Sequence, residues 1–201
     1  MLIQYKKKGR ENMSQTKTIF VIRHGLATGN EPDDPLEPEG EEHARQLADF
    51  LSQRTDMKID RLISSPYLRA KQTAAVLAKR FNLECCTDKR LRELELGETS
   101  LKGEALWEEL RKHFEDVELK FPQGESNQQV LNRVMELTEE LLQSDQQTIM
   151  IVTHRLTMSL LLNYYDSKAF GFEQSRDLTN PDAYTLTIEN QKGKVNRIWE
   201  E

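Results

Sequence analysis

An apolar, β-branched run that ends abruptly in polar residues constrains this chain more than any other stretch. Residues 18–22 are typical of a buried strand, and Arg23, His24 and Gly25 follow them directly. In open α/β sheets, ligands bind at the edge formed by the carboxyl ends of the strands. A cation and a titratable nitrogen at that edge therefore indicate an anion site with His24 at its centre.

Strands and helices alternate along the rest of the chain. Further strands are predicted at 60–64, 83–87 and 148–153, and an antiparallel hairpin at 183–188 and 195–199. Amphipathic helices are expected from about residue 39, from Pro66 with Ser65 as its cap, over about 102–116, from Ser126, which forms a capping box with Gln129, and after His154. This order predicts an α/β fold, a three-layer α/β/α sandwich with a mainly parallel sheet and an antiparallel edge.

The composition fits one domain of ordinary size. The chain has 201 residues and a net charge of −6, which argues against a nucleic-acid partner or an anionic membrane surface. No apolar run approaches transmembrane length, and the first dozen residues lack the apolar centre of a signal peptide. Cys85 and Cys86 are adjacent, which predicts reduced thiols in a cytoplasmic protein. We expect a disordered tail over residues 1–16 and a single domain over 17–201.

Basic residues follow three separate strands of the predicted sheet. Arg23 and His24 follow the first strand, Arg69 lies one turn into the helix after the second, and His154 ends the strand at 148–153. Each residue alone has an ordinary structural explanation, such as a surface ion pair or a satisfied core histidine. Together, two arginines can grip a phosphoryl group and a neutral histidine among cations can attack it. No group of residues has metal-ligand spacing, so we expect no metal and no cofactor.

Five short motifs occur in sequence order between residues 18 and 183. They are Arg23-His24-Gly25 with Asn30, residues 64–74, Leu91-Arg92-Glu93 with Gly97, residues 122–126, and Val152-Thr153-His154. This set resembles the signature of the histidine phosphatase superfamily, the phosphoglycerate-mutase-like proteins, although the Arg-His-Gly triplet alone would be a weak signal. The resemblance implies the phosphoglycerate-mutase-like fold, with a helical lid insertion at about 97–125.

The resemblance also implies a role for each residue of the site. His24 would be the nucleophile that becomes phosphohistidine, and Glu93 the acid that protonates the leaving group and then the base that activates water. The phosphoryl oxygens would be held by Arg23, Arg69, His154 and Asn30.

Two positions depart from the pattern of this family. Where the family usually has Ser or Thr three residues after the histidine, this chain has Ala27, with Thr28 beside it. Arg155 stands where Gly commonly follows the last histidine. We expect Leu26, Thr28 and Arg155, with Asn30, to line the substrate side of the pocket.

The length of the lid favours hydrolysis. Only about thirty residues separate Glu93 from Ser126, so water is expected to reach the phosphohistidine. The sequence therefore predicts a histidine acid-type phosphatase acting on a small phosphorylated metabolite. Two alternatives stay open: a cofactor-dependent phosphoglycerate mutase, and a catalytically weak protein that binds a phosphorylated ligand. No heptad repeat or apolar stripe predicts an oligomeric state.

Overall fold

The computed structural model of the chain describes residues 16–54 and 58–199. The strands in these ranges are β1 Lys17–Arg23, β2 Arg61–Ser64, β3 Cys85–Thr87, β4 Thr148–Thr153, β5 Asp182–Glu189 and β6 Lys192–Trp199. The helices are α1 Pro38–Arg54, α2 Leu68–Phe81, α3 Gly103–Glu115, α4 Asn127–Gln143, α5 Arg155–Tyr165 and α6 Phe172–Arg176, with a 3₁₀ turn at Lys89–Leu91. The tail expected over residues 1–16 lies, apart from Thr16, outside the described residues.

The strands form one six-stranded sheet in the order β3-β2-β4-β1-β5-β6. The strands β1 to β4 are parallel, whereas β5 runs antiparallel to β1 and pairs with β6 as a hairpin. The mainly parallel sheet with an antiparallel edge is therefore confirmed. Because β1 and β4 are neighbours and β2 lies next to β4, the carboxyl ends of all three meet at one edge.

Alternating strand residues build a core on each face of the sheet. Ile19 and Val21 of β1 face α4 and α5, whereas Phe20 and Ile22 face α1 and α2. All four side chains are buried, as period-two alternation in a strand covered on both faces requires. The result is the predicted α/β/α sandwich.

The start of α2 differs from the sequence prediction. The helix begins at Leu68 rather than Pro66, and its N-cap is Tyr67, whose side chain makes no capping bond. The Ser65 hydroxyl accepts a hydrogen bond from the Tyr67 amide at 3.2 Å and also contacts His154 Nε2 at 2.7 Å. Its role is therefore in the site rather than at the helix start. The capping box of Ser126 and Gln129 is confirmed.

Strand β3 begins two residues later than predicted. Asn82 ends α2 in the left-handed conformation, and the Leu83 amide still donates to the Ala78 carbonyl at 2.9 Å. The Leu83 amide therefore belongs to the end of the helix, and pairing with β2 starts only at Cys85.

The segment expected to form a lid holds one helix, α3, and is pinned at its base. The Glu98 amide donates to the Pro122 carbonyl and the Glu125 amide to the Glu95 carbonyl, both at 2.8 Å. Gly97 has a φ of +79°, and a Cβ there would collide with the backbone of Pro122 and Gly124. The two ends of the segment thus cross at backbone contact next to the loop that carries Glu93.

Candidate active site

Three strand ends bring His24, His154 and Arg69 into contact, although they are far apart in sequence. The rings of His24 and His154 lie edge to face with their centroids 5.0 Å apart. Arg69 Nε donates to His24 Nε2 at 3.1 Å. All three residues are buried, at 8% exposure or less. The convergence expected at the sheet edge is present in the fold.

The hydrogen bonds of His24 define its tautomer. Nδ1 lies 2.7 Å from the Gly25 carbonyl oxygen, which can only accept, so Nδ1 carries the proton. Nε2 accepts from Arg69 and therefore keeps its lone pair. Burial, followed by the charge of Arg23, lowers the pKa of His24 to about 3, so the ring is neutral at physiological pH. A neutral imidazole with a free lone pair has the form that a nucleophile needs.

The two arginines are fixed mainly by backbone carbonyls. Arg23 donates through one terminal nitrogen to the carbonyls of Leu178 and Thr179, each at 2.8 Å. Arg69 donates to the Glu31 carbonyl at 2.7 Å. Burial lowers the pKa of Arg23 to about 9, so the guanidinium still carries its charge at neutral pH. Arg23 Nε is buried and has no hydrogen-bond partner among the described residues, which leaves a charged donor for an anion.

His154 is held from two sides. Its Nε2 contacts the Ser65 hydroxyl at 2.7 Å, and the Tyr67 ring packs edge to face at 5.0 Å. Burial, with the neighbouring His24 and Arg69, holds the pKa of His154 well below its usual range. Its Nδ1 is buried and lacks a hydrogen-bond partner within the described part of the chain. The site thus holds a second buried polar atom without a partner, on a ring packed against His24.

Glu93 is fixed at the amino terminus of α5. One carboxylate oxygen accepts from the amides of Leu94 at 2.8 Å and Thr157 at 3.1 Å, and the other accepts from the Leu156 amide at 3.2 Å. The same helix starts directly after His154, so one element positions the carboxylate and the second histidine together.

The loop that carries Glu93 is braced by Glu125, to which sequence reasoning gave no role. The Glu125 carboxylate accepts from Arg92 at 2.6 Å and from Arg133 at 3.1 Å, and it also accepts the Glu95 amide at 3.1 Å. Arg133 in turn donates to the Glu93 carbonyl at 3.1 Å. Residues 122–126 could have indicated this role, because the motif places a carboxylate beside a helix start.

The residues expected on the substrate side are exposed or form hydrogen bonds to other parts of the backbone. Thr28 and Asn30 are exposed, and the Thr28 hydroxyl donates within its own loop to the Pro35 carbonyl at 3.4 Å. Leu26 is half-buried, and its carbonyl accepts from the Glu37 amide at 2.9 Å. Arg155 donates to three backbone carbonyls of the segment after α5. Their roles toward a substrate stay predictions.

Asn180 is a site residue that sequence reasoning missed. Its side-chain amide donates to the His24 carbonyl at 3.2 Å, across 156 positions of sequence. No periodicity or motif spacing singles it out, since it lies in the irregular segment before β5. Ser65 was noticed as a cap, but only the fold shows its contact with His154.

Neither a metal cluster nor a membrane span is found in the residues that the structure describes. No group of three or more His, Cys, Asp or Glu side chains there could hold a metal ion. No helix in the same ranges is long and apolar enough to cross a bilayer. What the site offers chemically is a neutral histidine nitrogen, charged and neutral donors around it, and one carboxylate. That set suits transfer of a phosphoryl group.

The fold and this constellation are those of a phosphoryl-transferring α/β protein that works through histidine. The chain belongs to the histidine phosphatase superfamily (branch 1), whose profile matches residues 19–201. The family and the phosphatase names of its relatives support hydrolysis of phosphate esters as the activity of this chain.

Similar proteins carry phosphatase and mutase names. A Hydrogenobacter thermophilus protein named "Putative phosphoserine phosphatase 2" is 31% identical over 163 residues, covering 73% of this chain and 77% of that protein. "Probable phosphoglycerate mutase GpmB" of Serratia proteamaculans is 28% identical over 162 residues, covering 72% and 73%. The fold is shared with a mycobacterial glucosyl-3-phosphoglycerate phosphatase solved with inorganic phosphate, at a TM-score of 0.71 and 23% identity over 92% of this chain and 97% of that one.

Proposed function

We propose that the protein hydrolyses small phosphomonoesters through a phosphohistidine at Nε2 of His24. The observation that carries this proposal is the tautomer: the Nδ1 proton is bound by the Gly25 carbonyl, and Nε2 accepts from Arg69. A substrate phosphoryl oxygen would replace the lone pair as the acceptor for Arg69, which frees Nε2 to attack phosphorus.

The proposed hydrolysis proceeds in two steps, formation and hydrolysis of the phosphohistidine. In the first, Nε2 forms a bond to phosphorus, the bond from phosphorus to the ester oxygen breaks, and protonated Glu93 gives its proton to the leaving alkoxide. In the second, Glu93 takes a proton from water, the oxygen of that water bonds to phosphorus, and the P–N bond breaks to release phosphate. Arg23, Arg69 and His154 would stabilise the charge on the phosphoryl oxygens.

The acid-type character is part of the proposal. Because the pKa of His24 is lowered to about 3, the nucleophile stays neutral in mildly acidic solution, where an ordinary histidine would be protonated. We therefore expect phosphoenzyme formation to persist at pH 5. Loss of the reaction with a single protonation near pH 6.5 would contradict the acid-type assignment.

The substrate is proposed as a small phosphorylated metabolite, with phosphoserine and a phosphoglycerate as the first compounds to assay. Both are chosen on the names of the relatives. A cytoplasmic location fits this substrate class, and it is also favoured by Cys85 and Cys86, which are exposed free thiols of the kind that a reducing compartment preserves.

The test is trapping of the phosphoenzyme. Wild type quenched after mixing with a labelled phosphomonoester should carry an acid-labile phosphate, and His24→Ala should carry none. His43→Ala, which removes a histidine from α1 outside the site, is the matched control and should label like wild type. A wild type without label would exclude both the phosphatase and the mutase.

A mutase is the second candidate, favoured by the similarity to mutase-named relatives. The short lid supports hydrolysis instead, because the segment between Glu93 and Ser126 holds a single 13-residue helix, which would leave the phosphohistidine open to water. The two are separated by offering the labelled phosphoenzyme a monophosphoglycerate. Faster transfer of the label to that acceptor than to water would overturn the phosphatase assignment.

A further inference from the structure

Residues 175–180, which run from the end of α6 toward β5, hold two residues of the site in place. In this segment, the carbonyls of Leu178 and Thr179 accept from Arg23, and the Asn180 side chain donates to the His24 carbonyl. The segment has no regular secondary structure between Asp177 and Pro181. Its conformation must therefore be fixed by side chains from elsewhere.

Arg155 supplies three of the hydrogen bonds that fix it, beside Asp182, which accepts from the Thr179 amide at 2.9 Å, and Arg197, which donates to the Asp177 carbonyl at 3.3 Å. One terminal nitrogen of Arg155 donates to the carbonyls of Ser175 and Arg176, each at 2.7 Å, and the other donates to the Leu178 carbonyl at 3.0 Å. The Leu178 oxygen thus accepts from Arg155 and Arg23 at once. Three of the five N–H groups of this guanidinium donate to backbone carbonyls of the 175–180 segment. We call this set of three hydrogen bonds the clamp.

The same guanidinium is stacked on the lid. Its central carbon lies 5.3 Å from the ring centroid of Trp107 in α3, within cation–π distance. The central carbon of the Arg176 guanidinium lies 5.8 Å from the same ring centroid. Arg176, whose carbonyl accepts from Arg155, also forms a two-pronged ion pair with Glu104 of α3 at 2.8 and 2.9 Å. The lid helix and the 175–180 segment are therefore tied together through Arg155.

We propose that Arg155 is a positioning residue that clamps the 175–180 segment and thereby sets Arg23 to receive a phosphoryl group, with Trp107 of the lid setting Arg155 in turn. This proposal deepens the proposed function and rests on it. It also explains why a large cation can stand directly after His154 without occupying the place of the substrate, since its nitrogens point to carbonyls.

The test measures binding of inorganic phosphate and of orthovanadate by calorimetry, which requires no turnover. Arg155→Met removes the clamp, and Arg155→Lys keeps the charge but loses the planar set of donors. Arg111→Met is the matched control: Arg111 also joins α3 to α6, by an ion pair with Glu173 at 2.8 Å and a stack on Phe172 at 4.8 Å, but binds no carbonyl of the segment. Thermal melting checks that each variant is folded at the assay temperature.

We expect both Arg155 variants to bind phosphate about tenfold more weakly than wild type. Arg111→Met should bind phosphate like wild type. An Arg155→Lys variant that binds phosphate as tightly as wild type would overturn the proposal in favour of charge alone. Unchanged phosphate affinity in both variants with a raised KM for the substrate would overturn it in favour of direct substrate contact. If wild type binds phosphate but hydrolyses nothing, the proposed function fails while this measurement still decides the role of Arg155.

A double-mutant cycle tests whether Trp107 of the lid acts on phosphate binding through Arg155. Trp107→Ala should also weaken phosphate binding, and combining it with Arg155→Met should add little, because both changes release the same clamp. Additive losses in the double variant would contradict a route from the lid through Arg155.

Discussion

His24 owes its chemical form to one adjacent residue and one that is remote in sequence. The Gly25 carbonyl holds the proton on Nδ1, Arg69 binds Nε2 from 45 positions away, and burial keeps the ring neutral. His154 likewise depends on Ser65 across 89 positions. At the scale of single residues, the protonation state of each histidine in the site is set by burial and by its hydrogen-bond partners.

The contact between Ser65 and His154 gives the first prediction. Ser65→Ala leaves His154 Nε2 buried without its partner, so we expect kcat/KM to fall about tenfold, with a loss of about 1–3 kcal/mol in the free energy of unfolding. Steady-state kinetics and urea unfolding measure the two effects.

The neighbouring serine is the control for that change. Ser64 is equally buried, but its hydroxyl donates to the Ser65 carbonyl at 2.9 Å and does not reach a histidine. Ser64→Ala should lose stability without a comparable loss of kcat/KM. Equal kinetic losses in both variants would show that packing, and not the histidine contact, explains the effect.

At the scale of elements, the base of the predicted lid braces the loop that carries Glu93. Segments 95–98 and 122–125 cross at Gly97 and Gly124, and Glu125 braces the loop that leads to Glu93. A glycine is required at position 97 for two reasons, its positive φ and the backbone that would meet a side chain.

The second prediction separates these two reasons. Gly103 also has a positive φ, +55°, but nothing lies within 4 Å of the place its Cβ would occupy. Gly103→Ala should therefore cost about 1 kcal/mol from backbone conformation alone, whereas Gly97→Ala should cost about 3 kcal/mol or more. Chemical unfolding measures both, and equal costs would mean that the crossing at the lid base tolerates a side chain.

Activity provides a further readout for the same pair. We expect kcat to fall in Gly97→Ala, because a shifted lid base displaces the loop four residues before it, and to hold in Gly103→Ala. A fully active Gly97→Ala would contradict the link between the lid base and Glu93.

For the whole molecule, the buried neutral site makes folding dependent on pH. The unfolded chain binds a proton at His24 with a pKa near 6.5, whereas the folded chain binds one only near pH 3. Between these values the unfolded state holds more protons, so acidification favours unfolding and stability rises with pH up to about 6.5.

The third prediction follows from that difference. His24→Asn should lower the slope of unfolding free energy against pH by up to about 1.4 kcal/mol per pH unit between about pH 4 and pH 6, with no change in slope above pH 7. Urea unfolding at a series of pH values measures the slope. An unchanged slope would mean that His24 is protonated in the folded protein.

The parts of the fold that the sequence predicted are those governed by short-range rules. The strand at β1 and the capping box at Ser126 depend on residues within a few positions, and both are present. The start of α2 was misplaced because the Leu68 amide donates to the Pro32 carbonyl at 2.8 Å, an acceptor from another loop that no local pattern reveals. The five-residue α6 was not predicted at all, being held through Arg176 by Glu104 on the lid.

The sequence alone determined the family, the parallel sheet and the strand ends where Arg23, His24 and His154 stand, because periodicity and motif order are written along the chain. Only the tertiary structure decided which nitrogen of His24 keeps its lone pair, what Glu125 braces and where Arg155 points. These depend on partners that folding brings together, such as Arg69 for His24 and the Leu178 carbonyl for Arg155, and backbone groups carry no signature in the sequence. The direction of a side chain is set by the acceptor that folding brings within reach.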